Sequence, residues 1–297
     1  MSDMSAREVR LLLVDDDPSA IQVMSKMLAE YPDQRFAMTG PTALLLAREA
    51  TPDLILLDAE MPGMSGFAVF KALRADPVLA RVPVIFATSH HSTVVELTAL
   101  EQGAADFVTK PLDGDQLLAR VRAHLRKRRR VDDAADRSTV RPGEPAQAPA
   151  RPCLLIVDDN VAAIQMLSHT LAGMGDCHFA KSADEALRLA HELRPNLVLL
   201  DAHMPEVDGF EVAAALRAER EFDQVPIVFI TRFADLANEK RAFDVGAADF
   251  IAKPYTPAVL LARLRNLLGL KSGDELAQLG SGVTPVPATT PGPARPR

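Results

Sequence analysis

At 297 residues the chain has the length of about two domains, and 48% apolar with 25% charged residues is the composition of ordinary globular cores. A net charge of −7 argues against a nucleic-acid binder by bulk charge, and the absence of Trp with few other aromatics weakens a reading as an aromatic carbohydrate or single-strand platform. Two cysteines, Cys153 and Cys177, are too few for a disulfide framework or a four-cysteine zinc site and read as reduced structural thiols.

Met1 to Arg10 carries no apolar signal region, and no run approaches the roughly 18 apolar residues of a membrane helix, so the sequence implies a cytoplasmic protein with no membrane contact. Leu11-Leu12-Leu13-Val14 is a continuous apolar run of the kind buried on both faces of a parallel sheet. Asp15 and Asp16 end it, Asp17-Pro18 reads as a helix N-cap with proline at the first helical position, and Pro18 to Glu30 is amphipathic. Leu54 to Leu57 is a second apolar run, closed by Asp58 and followed by a helical stretch from Gly66 to Ala75. Val82 to Ala87 is a third run, closed by Thr88; Gly103-Ala104-Ala105-Asp106-Phe107 then leads to Lys110-Pro111, a turn in which a cis bond is plausible. Arg126 to Arg130 is a basic run read as a helix C-terminus, where cations offset the dipole, rather than as a nucleic-acid contact. His90-His91 lacks a third ligand at a useful spacing, and His191-Glu192 reads as a solvated helix face.

A shift of 143 residues then repeats the whole pattern. Asp15, Asp16, Asp58, Thr88, Phe107 and Lys110 fall on Asp158, Asp159, Asp201, Thr231, Phe250 and Lys253 without a gap at any motif. A unit of this length is a domain and not a solenoid repeat. The organisation expected is a domain over 8–130, a flexible linker over 131–151, a second domain over 152–271 and a disordered tail over 272–297. Such a linker, if coil-like, spans roughly 25 Å root-mean-square and lets the domains move independently. Each unit reads as five β–α pairs, a doubly wound α/β domain with a five-stranded parallel sheet.

In open parallel sheets ligands sit beyond the carboxyl ends of the strands, where these polar residues fall. Each unit thus gathers three carboxylates, a hydroxyl and an ammonium. Clustered carboxylates repel and shift their pKa values upward unless a cation joins them. Oxygen-only ligands select Mg²⁺. With the charge offset, one carboxylate can attack phosphorus and form an acyl phosphate, with lysine and hydroxyl stabilising the phosphoryl oxygens.

Both units resemble the receiver domains of bacterial response regulators in two-component signalling, over roughly Val9–Arg128 and Pro152–Leu270. The resemblance implies a flavodoxin-like fold with Asp58 and Asp201 as phosphoacceptors. It implies Mg²⁺ held by Asp15, Asp16 and Asp58, and by Asp158, Asp159 and Asp201, with the backbone carbonyls of Glu60 and His203 assisting. Thr88 and Thr231 would be switch hydroxyls, Lys110 and Lys253 phosphoryl partners, and Phe107 and Phe250 rotating switch aromatics, although a phenylalanine there is also plain core. A sensor histidine kinase or phosphotransfer protein is the implied donor. A non-enzymatic, phosphorylation-dependent binding event is the implied output: to a downstream protein, between the receivers, or to a second copy. The rivals are a regulatory pair attached to an output enzyme such as a cyclase, and a constitutive pseudo-receiver scaffold. The residues flanking the phosphoacceptors, Glu60 with His90 and His203 with Phe233, further suggest a longer-lived phosphoryl group on Asp201 than on Asp58.

Overall fold

A computed structural model of the chain describes residues 9–89, 93–137, 151–205, 207–233 and 235–270. His90 and the tail over 272–297 lie outside the described residues, as does most of the stretch read as a linker.

The first unit runs β1 (Arg10–Val14), α1 (Pro18–Met27), β2 (Asp33–Ala37), α2 (Gly40–Glu49), β3 (Leu54–Asp58), α3 (Gly66–Ala75), β4 (Val84–Thr88), α4 (Thr93–Glu101), β5 (Asp106–Thr109) and α5 (Gly114–Arg137). The second repeats it as β6 (Cys153–Val157), α6 (Val161–Leu171), β7 (Asp176–Ala180), α7 (Ala183–Leu193), β8 (Leu197–Leu200), α8 (Gly209–Ala218), β9 (Ile227–Thr231), α9 (Leu236–Asp244), β10 (Asp249–Ala252) and α10 (Pro257–Leu268). Both sheets are wholly parallel, in the order β2-β1-β3-β4-β5 and β7-β6-β8-β9-β10. The strand expected over Val82–Ala87 begins two residues later, at Val84, because Pro83 lacks the N–H a central strand donates.

The apolar runs explain the layers. Leu12, Val14, Ile55, Leu57 and Phe86 pack one sheet face against α2 and α3, while Leu11, Leu13, Leu54, Leu56 and Ile85 pack the other against α1 and α5. The second unit divides the same way. Helix starts are set by side-chain caps: Asp17 accepts from Ser19 N ahead of Pro18, and Thr256 from Val259 N ahead of Pro257.

Two expectations are corrected. Helix α5 runs to Arg137, seven residues into the stretch read as linker, so the basic run lies within a helix and not at its C-terminus. Alanine has the highest helix propensity, and Ala134 and Ala135 favour continuation. The two units also pack together rather than ride freely. Helix α4 packs on α10 and α5 on α9, a pseudo-twofold exchange of equivalent elements. Leu100, Val259 and Ala262 form its apolar strip. Arg120 pairs with Glu239 at 2.5 Å, and its repeat equivalent Arg263 with Glu96 at 2.7 Å. Arg263 also donates to Asp106 at 3.0 Å and to Asp249 at 3.1 Å, and Arg120 to Asp106 at 2.6 Å. Arg126, from the basic run, donates across the contact to the Phe243 carbonyl, and Asn266 donates to the carbonyls of Leu100 and Ala104.

Candidate functional site

The repeated acidic residues converge at the carboxyl ends of the strands. β1 and β3 are neighbours on either side of the point where strand order reverses, so Asp15 just past β1 and Asp58 at the end of β3 meet. Lys110, one residue after β5, reaches across and donates to Asp15 Oδ2 at 2.6 Å and Asp58 Oδ1 at 2.8 Å. Glu60 N donates to Asp58 Oδ2 at 3.0 Å, and Asp17 N to Asp15 Oδ1 at 3.0 Å. In the second unit Lys253 donates to Asp158 Oδ2 at 2.9 Å and Asp201 Oδ1 at 3.0 Å, and His203 N to Asp201 Oδ2 at 3.1 Å. Asp201 stands one residue past β8, not within it.

Burial is graded. Asp15, Asp58 and Thr88 are buried and so are Asp158 and Thr231, while Asp16 and Asp159 are exposed at the mouths of their sites. Burial pushes the Asp58 carboxyl up, Lys110 draws it back, and the Asp15 charge adds to the rise. Burial opposes the ammonium charges of Lys110 and Lys253, but their paired carboxylates outweigh it and raise both pKa values. Each lysine main-chain N–H donates to a threonine carbonyl on the neighbouring strand, Lys110 N to Thr88 O at 2.7 Å and Lys253 N to Thr231 O at 2.8 Å. Both Lys–Pro bonds are cis. Phe107 and Phe250 are buried, with 6% and 5% exposure, next to the interface aspartates Asp106 and Asp249 on the same strands.

The glycines of the repeated Gly-Phe pair hold the floor. A Cβ on Gly66 would stand 2.0 Å from the Asp58 carbonyl oxygen, and one on Gly209 2.1 Å from that of Asp201. Helices α3 and α8 therefore start against the Asp58 and Asp201 backbone only because these residues lack side chains. At the rim of the second site the His203 and Phe233 rings lie 4.3 Å apart, tilted by 34°. Phe233 N donates to Thr231 Oγ1 at 3.1 Å.

The donor set suits a hard divalent cation. Two buried carboxylates share a single ammonium, a third carboxylate waits exposed at the mouth, and every candidate ligand is oxygen. Among the described residues a separate group of one histidine and two carboxylates, His191 with Glu219 and Glu221, lies on the surface. Arg194 pairs with Glu221 there, so the cluster reads as surface ion pairing.

A family model described as "Response regulator receiver domain" matches residues 11–122 and again 154–265. The chain belongs to the response-regulator receiver family. The response regulator PleD of Caulobacter vibrioides is 35% identical over 270 residues, covering 88% of this chain and 59% of its own length. The DNA-binding response regulator MtrA of Mycolicibacterium smegmatis is 42% identical over 125 residues, 42% of this chain and 54% of its own. The chain thus spans little more than half the length of these relatives. Among solved structures, the Vibrio cholerae chemotaxis protein CheY4 matches 40% of this chain and 99% of its own at 31% identity, with a TM-score of 0.39. As in this family, the two units are receiver domains.

Proposed function

We propose that Asp58 and Asp201 are the phosphoacceptors of a two-component regulator, supplied by a histidine kinase or phosphotransfer protein in the cytoplasm. The carrying observation is that one lysine holds two aspartates at the strand ends, both buried in the first unit and one buried and one half-buried in the second. Asp58 Oδ attacks phosphorus, the bond to the donor atom breaks, and the donor leaves with its electron pair. Lys110 and Thr88 then meet the phosphoryl oxygens, as Lys253 and Thr231 do at Asp201. Asp15, Asp16, Asp58 and the Glu60 carbonyl would hold Mg²⁺, as would Asp158, Asp159, Asp201 and the His203 carbonyl. Bound there, the ion offsets the negative charge that otherwise keeps carboxylate and phosphoryl oxygens apart.

The output is a change in protein binding. Phe107 and Phe250 lie on the strands that carry Asp106 and Asp249 into the receiver–receiver contact, so a shift of Thr88 or Thr231 toward a phosphoryl group bears on that contact. A second reading has this pair regulating an output enzyme in a longer polypeptide. It is favoured by the PleD match, which takes in nearly all of this chain and only 59% of PleD. The test of the site is labelling with acetyl phosphate and Mg²⁺. Each of Asp58→Asn and Asp201→Asn should keep one acid-stable, hydroxylamine-sensitive label, and the double variant none. A label of that kind on the double variant would refute the assignment.

A further inference from the structure

A cavity of about 530 Å³ lies at the opposite end of the sheets from the phosphoacceptors, where the two receivers meet. Its walls come from the segments that lead into β4, β5 and β10 and from α3, α5 and α10. Five arginines line it, Arg74, Arg81, Arg128, Arg263 and Arg265, against one carboxylate, Asp249. In a chain of net charge −7 this is a marked local excess of positive charge. Arg263 is satisfied by Glu96, Asp106 and Asp249, and Arg128 lies 3.7 Å from Asp53. The other three have no carboxylate partner among the described residues. Arg74 is spent on neutral groups, the carbonyls of Val82 and Gly103 and the Phe70 ring, and burial pulls its pKa down to about 10. The side chains of Arg81 and Arg265 make no hydrogen bond or ion pair among the described residues. Val82, Pro83, Ala104, Leu267 and Leu270 supply apolar wall between the charges.

The repeat provides an internal control on whether the fold itself demands this charge. The equivalent cavity, beside Arg217, is only about 150 Å³. Gln224 stands there in the place of Arg81. The repeat equivalent of Arg265 is Arg122, which is paired with Glu30. The same architecture is therefore built once without the unpaired arginines.

We infer that the larger cavity binds a small phosphorylated ligand with a planar apolar part, of the size and chemistry of a nucleoside polyphosphate. Guanidinium groups meet phosphate oxygens in bidentate pairs, and the volume is that of a typical small-ligand site. The walls belong to both receivers, so an occupant bridges them and favours the packed arrangement, at a place separate from the phosphoryl chemistry.

The test is calorimetric titration of the full chain with ATP and with inorganic triphosphate, in EDTA so that the acidic sites play no part. One equivalent of ATP should bind with a Kd of roughly 0.1 mM or tighter, and triphosphate more weakly because it cannot use the apolar wall. Arg81→Gln with Arg265→Gln should weaken ATP at least tenfold. Arg35→Gln with Arg220→Gln, which removes the same charge from positions outside the cavity, should leave it within about twofold. Circular dichroism would show that both variants keep the wild-type fold. Absence of saturable ATP binding at millimolar concentration overturns the inference. So does equal affinity for ATP and triphosphate, or equal weakening in the two variants.

Discussion

Lys110 and Lys253 each hold two aspartates with one ammonium, and that ratio decides what a substitution there does. Lys110→Ala leaves Asp15 and Asp58 facing each other, half-compensated only by main-chain N–H groups. Burial already raises the Asp58 carboxyl, so without lysine its folded pKa climbs further above the unfolded value. A raised carboxylate pKa destabilises above that pKa, and the penalty is relieved as pH falls through it. In EDTA, Lys110→Ala should therefore lower Tm by several degrees at pH 7.5 and by clearly less at pH 5, and an equal deficit at both would show that charge is not the cause. The rim of the second site carries a separate expectation. Phe233 lies beside the His203 ring, tilted by 34°, and an apolar ring there would hinder water attacking a phosphoryl group on Asp201. Dephosphorylation of Asp201-P in the Asp58→Asn protein should be slower than that of Asp58-P in the Asp201→Asn protein. Phe233→His should speed the former by roughly threefold, a barrier change of under about 1 kcal/mol. The clustering of the carboxylates with lysine was legible because they fall at strand ends in both copies, but the closeness of the His203 and Phe233 rings, 30 residues apart in sequence, was not.

At the scale of elements, the starts of α3 and α8 are where backbone packing and chemistry are least separable. Gly66→Ala sets a methyl group 2.0 Å from the Asp58 carbonyl oxygen, a contact that only backbone movement relieves. It should cost about 3 kcal/mol of stability, the upper end for an added carbon in a tight core, and slow labelling at Asp58 while sparing Asp201. Gly63→Ala is the comparison: its φ of +79° strains a side chain, but no atom stands within 4 Å. It should cost about 1 kcal/mol, the ordinary penalty for a left-handed non-glycine residue, and leave labelling nearly intact; thermal melts with labelling rates distinguish the two. The buried strands were readable because continuous apolar runs have one physical explanation. The edge strands β2 and β7, Asp33–Ala37 and Asp176–Ala180, were not named from sequence, since half-exposed edges carry polar residues and show no such run. The extension of α5 was missed because its charged, alanine-containing stretch reads equally as solvated linker or solvated helix.

For the whole molecule, the receiver–receiver contact was the least legible feature, because Arg120, Arg263, Glu96 and Glu239 look in sequence like solvated helix faces, whereas in the fold they pair across the contact and all but Glu96 are buried. Arg120→Glu should open the contact and enlarge the radius of gyration measured by X-ray scattering; adding Glu239→Arg should restore much of the compactness, and a failure of both would mean the pair does not hold the units together. Asp106 sets the acid limit. Burial opposes its charge, but Arg120, Arg263 and His124 hold its carboxyl well below the usual range. A depressed carboxylate pKa contributes stability that is whole above the unfolded value and is lost as pH falls through the folded one. Asp106→Asn should thus lower stability by about 3 kcal/mol, as breaking a buried ion pair does, and the loss should persist from pH 7 down to pH 5. The pseudo-twofold exchange of α4, α5, α9 and α10 has one more consequence. Each receiver is the tethered competitor of any protein that would dock on the other's α4–β5–α5 or α9–β10–α10 face, at an effective concentration on the order of millimolar. A partner for that face meets only the open fraction, so a chain that is open about 1% of the time weakens it about a hundredfold. A phosphoryl group that loosened the contact would thereby sharpen recognition without adding a single contact to the partner.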